Sequence, residues 1–164
     1  MSLVISAMRE INLALQNIGM ENFMKIAIVT THPPSKGSLN EYAYHFVRFL
    51  KTKVENVQEI ILLVDELPQG GEYPSEQNQA QVPVRSVPCW KFNALDNAIQ
   101  IRRAVREVNP DIVLFNVQFA SFGDKKIPAT LGLLTPWLLK LKRIICLPIS
   151  MFFLLFLMDA LPEI

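Results

Sequence analysis

The chain has 164 residues, a net charge of +1 and an apolar content of 51%, which suits one domain of ordinary size with a hydrophobic core. These values exclude a disordered chain, and a charge this close to zero leaves no basic field that would recruit nucleic acid. The two cysteines, Cys89 and Cys146, are too widely spaced for a metal motif and are interpreted as reduced, buried thiols.

Residues 1–23 are predicted to form an amphipathic helical extension. Apolar side chains recur at helical spacing between Val4 and Ile18, and Gly19 provides a C-terminal stop. The segment has neither the basic start nor the long apolar run of a secretory signal peptide. Because a second methionine, Met24, opens the first strand-like run, residues 1–23 are either an appendage or an error in the assigned gene start.

A strand, a helix and a second strand are predicted next. The apolar run at 25–30 is typical of a strand that is buried on both faces. Ser38 and Glu41 have the spacing of a capping box, which predicts that the helix starts at Ser38. The apolar run at 57–64 predicts the second strand. The stripe of the helix between these strands consists of Leu39, Ala43, Phe46, Val47 and Leu50.

A long polar loop precedes the third strand. Two glycines and two prolines exclude a regular element over residues 66–81. The third strand is predicted at 82–88, where its prolines fit a position at the edge of a sheet. A helix is then predicted over 93–110, with Asn93 as its cap and Pro110 as its stop.

The last predicted elements are a strand, a helix and a fifth strand. The strand is predicted at 111–117, and a loop over 118–126 follows it. A helix over 127–142 is interrupted by Pro136, which lacks the N–H that a continuous helix requires. The apolar run at 143–149 predicts the fifth strand.

This alternation of strands and helices predicts an α/β fold, a doubly wound, parallel, Rossmann-like sheet over residues 24–150. The expected strand order is 3-2-1-4-5. In such sheets, ligands bind beyond the carboxyl ends of the strands, at the switch point between strands one and four. Two loops meet there, THPPSKGS after strand one and VQFASFG after strand four.

The loop after the first strand is a candidate anion site. Gly37 precedes the predicted helix start at Ser38, and a residue without Cβ lets a ligand approach the backbone closely. The free N–H groups of a helix start favour a phosphate or carboxylate, and Lys36 adds a positive charge. The alternative is that Gly37 serves only the turn and Ser38 only the cap. A single glycine is not a dinucleotide or P-loop motif, so the sequence predicts no cofactor.

Two stretches resemble a known family. MKIAIVTTHPPSKGSLNEYAYHFVRFLK, from residue 24, and VNPDIVLFNVQFASFG, from residue 108, are similar to the first and fourth strands of retaining glycosyltransferases with the GT-B architecture (group 1, family 4 type). The resemblance covers residues 24–143. It implies the amino-terminal domain of an enzyme that transfers a sugar from a nucleotide donor, in which this domain mainly holds the acceptor.

The resemblance also assigns positions. Gly37 matches the first glycine of the loop that approaches the donor diphosphate, and Ser38 stands where a second glycine is common. Asn116 and Gln118 match the polar positions after the fourth strand, where they either bind acceptor hydroxyls or cap the loop. Together with Lys36, these four residues are the candidate substrate-binding residues.

The chain also departs from the family. Its second domain, which binds most of the nucleotide, is missing, and no histidine follows His45, although the family has one after its fifth strand. Neither His32 nor His45 matches a catalytic position of the family. No catalytic residue and no metal ligand is therefore predicted, and the sequence is interpreted as a truncated domain that is inactive alone.

The apolar tail, residues 151–164, has three interpretations. It belongs to a helix that covers the core after the fifth strand, or to out-of-register sequence after a frameshift, or to a short membrane-associated segment. The apolar stretch is shorter than the roughly 17 to 25 residues that cross a bilayer. Its phenylalanines and leucines are expected to be covered by the sheet, by a partner or by lipid, because their exposure to water is costly.

Three functions remain open. The favoured one is the acceptor-side domain of a nucleotide-sugar-dependent glycosyltransferase, and its expected partners are a nucleotide-sugar donor and a sugar or lipid acceptor once a second domain is added. The alternatives are a non-catalytic module that binds anions or glycans, and an interaction protein that self-associates or touches a membrane surface through its amino-terminal helix and apolar tail. A cytoplasmic location is expected, with peripheral attachment to a membrane as the alternative, and no nucleic acid is expected as a partner.

Overall fold

The computed structural model describes residues 24–36, 39–53, 56–68, 71–74, 82–117, 121–139 and 146–148. The predicted extension, residues 1–23, and the apolar tail, residues 151–164, lie outside the described residues. Three of the candidate substrate-binding residues, Gly37, Ser38 and Gln118, lie outside them as well.

A parallel sheet forms the centre of the domain. Its strands are β1 (Met24–Thr30), β2 (Val57–Asp65), β3 (Val84–Trp90) and β4 (Ile112–Asn116), in the order β3-β2-β1-β4. Every neighbouring pair of these strands is parallel. The α/β class, the order of the first four strands and the edge position of the proline-containing β3 are therefore confirmed.

A short strand lies on the other side of β4. The segment Cys146–Pro148, labelled β5, pairs in parallel with β4, and Leu147 lies opposite Leu114. These three residues are the described part of the strand predicted at 143–149. The remainder of that strand stays a prediction.

Helices cover both faces of the sheet. The helix α1 (Asn40–Lys53) lies on one face, and α2 (Asn97–Val108) lies on the other. Because side chains alternate along a strand, β1 contributes to both cores, with Ile28 in the cluster under α1 and Val29 in the cluster under α2. The described helices therefore cover the two faces of the sheet, and loops follow the carboxyl ends of its strands.

The first helix begins two residues later than the sequence predicts. Leu39 lies in a turn and its carbonyl accepts a hydrogen bond from the Ala43 N–H (2.8 Å), so the helix starts at Asn40 rather than at Ser38. The predicted capping box stays a prediction, since Ser38 is not described. The predicted apolar stripe is confirmed in the buried side chains of Ala43, Phe46, Val47 and Leu50.

The prediction that Asn93 caps the second helix is wrong. This helix starts at Asn97, and Asn93 adopts a left-handed backbone conformation (φ 63°) in the preceding loop. The Asn93 side chain instead accepts hydrogen bonds from the backbone N–H groups of Asp124 (3.1 Å) and Lys125 (3.5 Å). The Asn93 side-chain oxygen is therefore bonded to a distant loop, instead of to the N–H groups of the helix that it was predicted to cap.

The end of this helix agrees with the sequence. Val108 is its last residue, and Asn109 follows in a left-handed conformation (φ 45°) with its N–H bonded to the Val105 carbonyl. Asparagine tolerates this conformation better than most residues, and Pro110 cannot continue a helix. The predicted stop at Pro110 is confirmed.

The last helical region is divided in two. The helices α3 (Lys126–Leu133) and α4 (Thr135–Leu139) are separated at Leu134, so the predicted break near Pro136 is confirmed. The Gly132 carbonyl accepts a hydrogen bond from the Thr135 hydroxyl (2.5 Å), which ties the two helices together at the break. Within the described ranges, no helix is long and apolar enough to cross a membrane.

Candidate functional site

Polar side chains are concentrated where β1, β2 and β4 end. Of the seven buried polar side chains among the described residues, five lie on or directly after β1 and β4. The last residue of β2, the half-buried Asp65, lies beside them. We name this region the carboxyl-end edge, and it consists of Thr30, Thr31, His32, Ser35, Lys36, Asp65 and Asn116.

The ends of β1 and β4 are joined by a buried hydrogen bond. The Asn116 side-chain amide donates to the Thr30 hydroxyl oxygen (3.0 Å), and that hydroxyl donates to the Thr31 carbonyl (2.9 Å). Thr30 is 0% exposed and Asn116 is 3% exposed. The amide of the candidate residue Asn116 is thus engaged within the protein, at the switch point that the strand order predicts.

The loop after β1 is fixed to the end of β2. A turn closes between the His32 carbonyl and the Ser35 N–H (2.9 Å), and the Ser35 hydroxyl donates to the Asp65 carboxylate (2.6 Å). The Tyr73 hydroxyl lies 3.1 Å from the same carboxylate and 2.9 Å from the Asp65 carbonyl. Burial, and then the negative charge of Asp65, raise the pKa of Tyr73 above its usual value, so this hydroxyl stays protonated and can donate.

One buried hydroxyl of the edge has no partner among the described residues. Thr31 is 5% exposed, and its hydroxyl oxygen makes no hydrogen bond to any of them. The side-chain oxygen of Asn40 is in the same situation, although its amide nitrogen donates to the Ser35 carbonyl. A buried polar atom without a partner costs roughly 1–3 kcal/mol, so a ligand hydroxyl or N–H that reached either oxygen would be stabilising.

The two histidines differ in their surroundings. His32 is 6% exposed, with its Nδ1 atom 3.2 Å from the Pro33 carbonyl and its ring centroid 6.4 Å from that of Tyr44. His45 is exposed on α1. An imidazole at the first turn of the loop adds a group that can donate or accept at the carboxyl-end edge.

The candidate residues are thus brought together only in part. Lys36 is exposed on the loop after β1, and Asn116 ends β4, so both belong to the carboxyl-end edge. Gly37, Ser38 and Gln118 remain predictions, since they are not described. The sequence analysis missed Thr31, and the signal was its place next to Thr30, directly after a buried strand.

A separate cavity of about 340 Å³ lies between β3 and α2. Its lining includes Cys89, the exposed ion pair of Glu66 and Lys91 (2.9 Å) and the exposed Arg103. Cys89 is a free thiol that is half-buried rather than buried, and its predicted reduced state stays a prediction. Burial, and then the charge of Glu66, raise the pKa of this thiol to about 12.

We expect Cys89 to be unreactive in the folded protein. At pH 8, a rise in pKa from 9.0 to about 12 lowers the thiolate fraction roughly a thousandfold, and the thiolate is the reactive form. Alkylation followed by mass spectrometry of the Cys89 peptide should show slow labelling in buffer and fast labelling in urea. Glu66→Gln should speed the alkylation of Cys89 in the folded protein, because it removes the negative charge that contributes to the raised pKa of this thiol.

The same thiol affects stability at high pH. The folded pKa lies above the unfolded one, so the unfolded chain loses this proton first. The contribution of Cys89 to the free energy of unfolding is therefore complete below pH 9 and is lost as the pH rises towards 12. Cys89→Ala should therefore flatten the fall in the free energy of unfolding between pH 9 and pH 12. Equally rapid labelling of Cys89 in buffer and in urea would contradict the raised pKa of this thiol.

Among the described residues, no group of three or more His, Cys, Asp or Glu side chains is placed to hold a metal ion. The polar groups of the carboxyl-end edge are three hydroxyls, one amide and one imidazole beside the charged groups of Lys36 and Asp65, a set that suits a hydrogen-bonding ligand. Comparisons of the chain with protein-family models, with curated proteins and with solved structures find no match.

Proposed function

We propose that this chain is the acceptor-side domain of a nucleotide-sugar-dependent glycosyltransferase. Its carboxyl-end edge holds a hydroxyl-rich acceptor, and a separate donor-binding domain completes the cleft. The observation that carries the proposal is the buried Thr31 hydroxyl, which has no partner among the described residues at the switch point of the sheet. The predicted cytoplasmic location belongs to this proposal.

The chemistry of the edge supports a sugar as the ligand. Sugar hydroxyls donate and accept hydrogen bonds, and the Thr31 hydroxyl and the His32 ring lie at the start of one loop. The carboxylate of Asp65 is engaged with the hydroxyls of Ser35 and Tyr73, so it holds the loop after β1 in place. The exposed Lys36 can attract the phosphate of a nucleotide sugar from the same loop.

The resemblance of β1 and β4 to the GT-B glycosyltransferases supports the same reading. The strands within both similar stretches end at the carboxyl-end edge, β1 at Thr30 and β4 at Asn116. In the family, the donor is held mainly by a second domain across the cleft. We therefore expect this chain to bind the acceptor and its partner domain to bind the donor, with sugar transfer only when both domains are present.

The test compares two neighbouring threonines. Thr31→Val removes a hydroxyl that has no partner among the described residues, so stability should be unchanged or slightly higher. Affinity for sugars should fall between about twofold and tenfold, the value of one neutral hydrogen bond. Binding is measured by calorimetry or ligand-observed NMR with methyl glycosides, UDP-glucose and GDP-mannose, and stability by urea denaturation.

The matched control is Thr30→Val. It deletes the acceptor for the buried Asn116 amide, so it should cost roughly 1–3 kcal/mol of stability. A full-affinity Thr31→Val variant, or a chain that binds no probe of the panel, would overturn the proposal. Transfer of sugar by the chain alone would overturn the division between acceptor and donor domains and leave the binding assignment in place.

A further inference from the structure

The strand β3 forms one edge of the sheet. It pairs in parallel with β2, and no strand among the described residues pairs with its other side. Edge strands present a row of N–H and C=O groups that can template the addition of a strand from another chain. The outer side of β3 is therefore a place where a second copy of this protein could add a strand.

The hydrogen bonds to β2 show which residues of β3 face outward. The Ile60 N–H donates to the Pro83 carbonyl (3.0 Å), so Pro83 directs its carbonyl towards β2. In a parallel sheet, alternate residues of a strand direct their backbone groups to opposite neighbours. The register between β2 and β3 is regular from Val84 to Pro88. The backbone groups of Val84, Ser86 and Pro88 therefore point away from β2.

These three outward residues differ in their accessibility. Val84 is 4% exposed, whereas Ser86 is half-buried and Pro88 is exposed. The backbone groups that a further strand could reach are therefore those of Ser86 and Pro88. Ser86 offers both a donor and an acceptor, but Pro88 has no N–H and offers an acceptor alone.

The missing N–H of Pro88 has a defined effect on pairing between two copies. Strands related by a two-fold axis run antiparallel, and directly opposite residues of such a pair exchange two backbone hydrogen bonds. A pair centred on Val87 would place Ser86 opposite Pro88 of the second copy. The Pro88 carbonyl would accept from the Ser86 N–H, but the Ser86 carbonyl would be covered without a donor, once in each copy.

The carboxyl end of β3 has a second feature that disfavours pairing. Its register with β2 shifts between Val64 and Asp65, so that Val64 lies opposite Pro88 but Asp65 lies opposite Trp90. Such a bulge bends a strand away from the straight course that a further strand would follow. We propose that Pro88, together with this bulge, keeps β3 from pairing with β3 of a second copy. The proposal does not depend on the proposed function.

The test replaces Pro88 with threonine, a residue that has an N–H and favours strands. Restoring the donor in both copies removes two unpaired carbonyls, so the Kd of a dimer should fall at least about thirtyfold. Sedimentation velocity of the full chain over a series of protein concentrations measures this change. Pro83→Thr is the matched control, because Pro83 is also exposed but an N–H added there lies on the side of β2. It should leave association unchanged.

Amide hydrogen exchange followed by NMR locates the contact. In the unmodified protein, the Ser86 N–H should exchange fast, whereas the N–H groups of Arg85 and Val87, which face β2, should exchange slowly. In Pro88→Thr, the Ser86 N–H should become protected as the protein concentration rises. The proposal is overturned if Pro88→Thr associates no more than the unmodified protein, or if it associates without protecting Ser86. Concentration-dependent protection of Ser86 in the unmodified protein would overturn it as well.

Discussion

Replacing Phe122 with alanine is expected to lower the free energy of unfolding by about 3–5 kcal/mol. Phe122 is 0% exposed, and its ring lies against that of Trp90 with the centroids 5.1 Å apart and the planes tilted by 59°. It belongs to the core cluster under α2, so its removal leaves a cavity between the sheet and the helices. Chemical denaturation of the variant and the unmodified protein measures the loss.

A partner substitution makes this prediction specific. A Cβ at Gly132 would overlap the Phe122 ring and lie within 2.7 Å of the Phe122 Cβ. Gly132→Ala should therefore cost about 1–3 kcal/mol, although the same change in an unhindered helix is stabilising. The Phe122→Ala background removes the ring but keeps the Cβ at position 122, 2.7 Å from the added methyl, so the cost should fall without disappearing.

The control is Gly71→Ala. At this exposed glycine the added Cβ meets Leu67 at an ordinary 3.4 Å, and stability should change little. The four combinations at Phe122 and Gly132 form a double-mutant cycle with an expected coupling above 1 kcal/mol, within the roughly 0.5–3 kcal/mol known for residues in contact. Additive effects at the two positions would show that the contact is not tight.

Asp65→Ala is expected to lower stability by about 1.5–3 kcal/mol, the usual range for a hydrogen bond to a charged group. The carboxylate accepts the Ser35 hydroxyl (2.6 Å) and lies 3.1 Å from the Tyr73 hydroxyl, so its loss leaves both without this partner. Because Ser35 is buried, the loop after β1 should lose its fixed position. Affinity for any sugar bound at the carboxyl-end edge should fall together with stability.

Two variants separate the parts of this effect. Tyr73→Phe removes one hydroxyl and should cost roughly 0.5–1.5 kcal/mol, less than Asp65→Ala. Glu66→Ala removes the adjacent carboxylate, whose exposed ion pair with Lys91 should contribute little. If Glu66→Ala were as damaging as Asp65→Ala, net charge rather than the link to Ser35 would explain the loss. Urea denaturation at neutral pH measures all three.

Much of the sheet follows from the sequence because its signals are local. Strands buried on both faces appear as short apolar runs, and the runs at 25–30 and 57–64 correspond to β1 and β2 within one residue at each end. The stop at Pro110 is also local, since proline acts on the residue before it and on its own turn. The strand order then follows from the rules for parallel connections.

The errors come from contacts between distant parts of the chain. Asn93 has the composition of a helix cap, but its oxygen is taken by N–H groups at 124 and 125, which no local pattern encodes. The link between Ser35 and Asp65 also escapes the sequence, because it joins two residues that lie 30 positions apart in the chain. At the candidate site, Lys36 and Asn116 could be predicted from the loops that follow β1 and β4. Thr31 could not, because its importance depends on which hydroxyls already have a hydrogen-bond partner in the folded protein.

The contacts of Asn93 also determine how the carboxyl-end edge can move. They fasten Asn93 to residues 123–125, and a Cβ at Gly123 would already overlap the Asn93 side chain, so we expect these two segments to move together. Ser35 and Asp65 make a second rigid piece from the loop after β1 and the end of β2. We therefore expect an adjustment to a ligand to displace one piece relative to the other, about the Thr30–Asn116 hydrogen bond that lies between them.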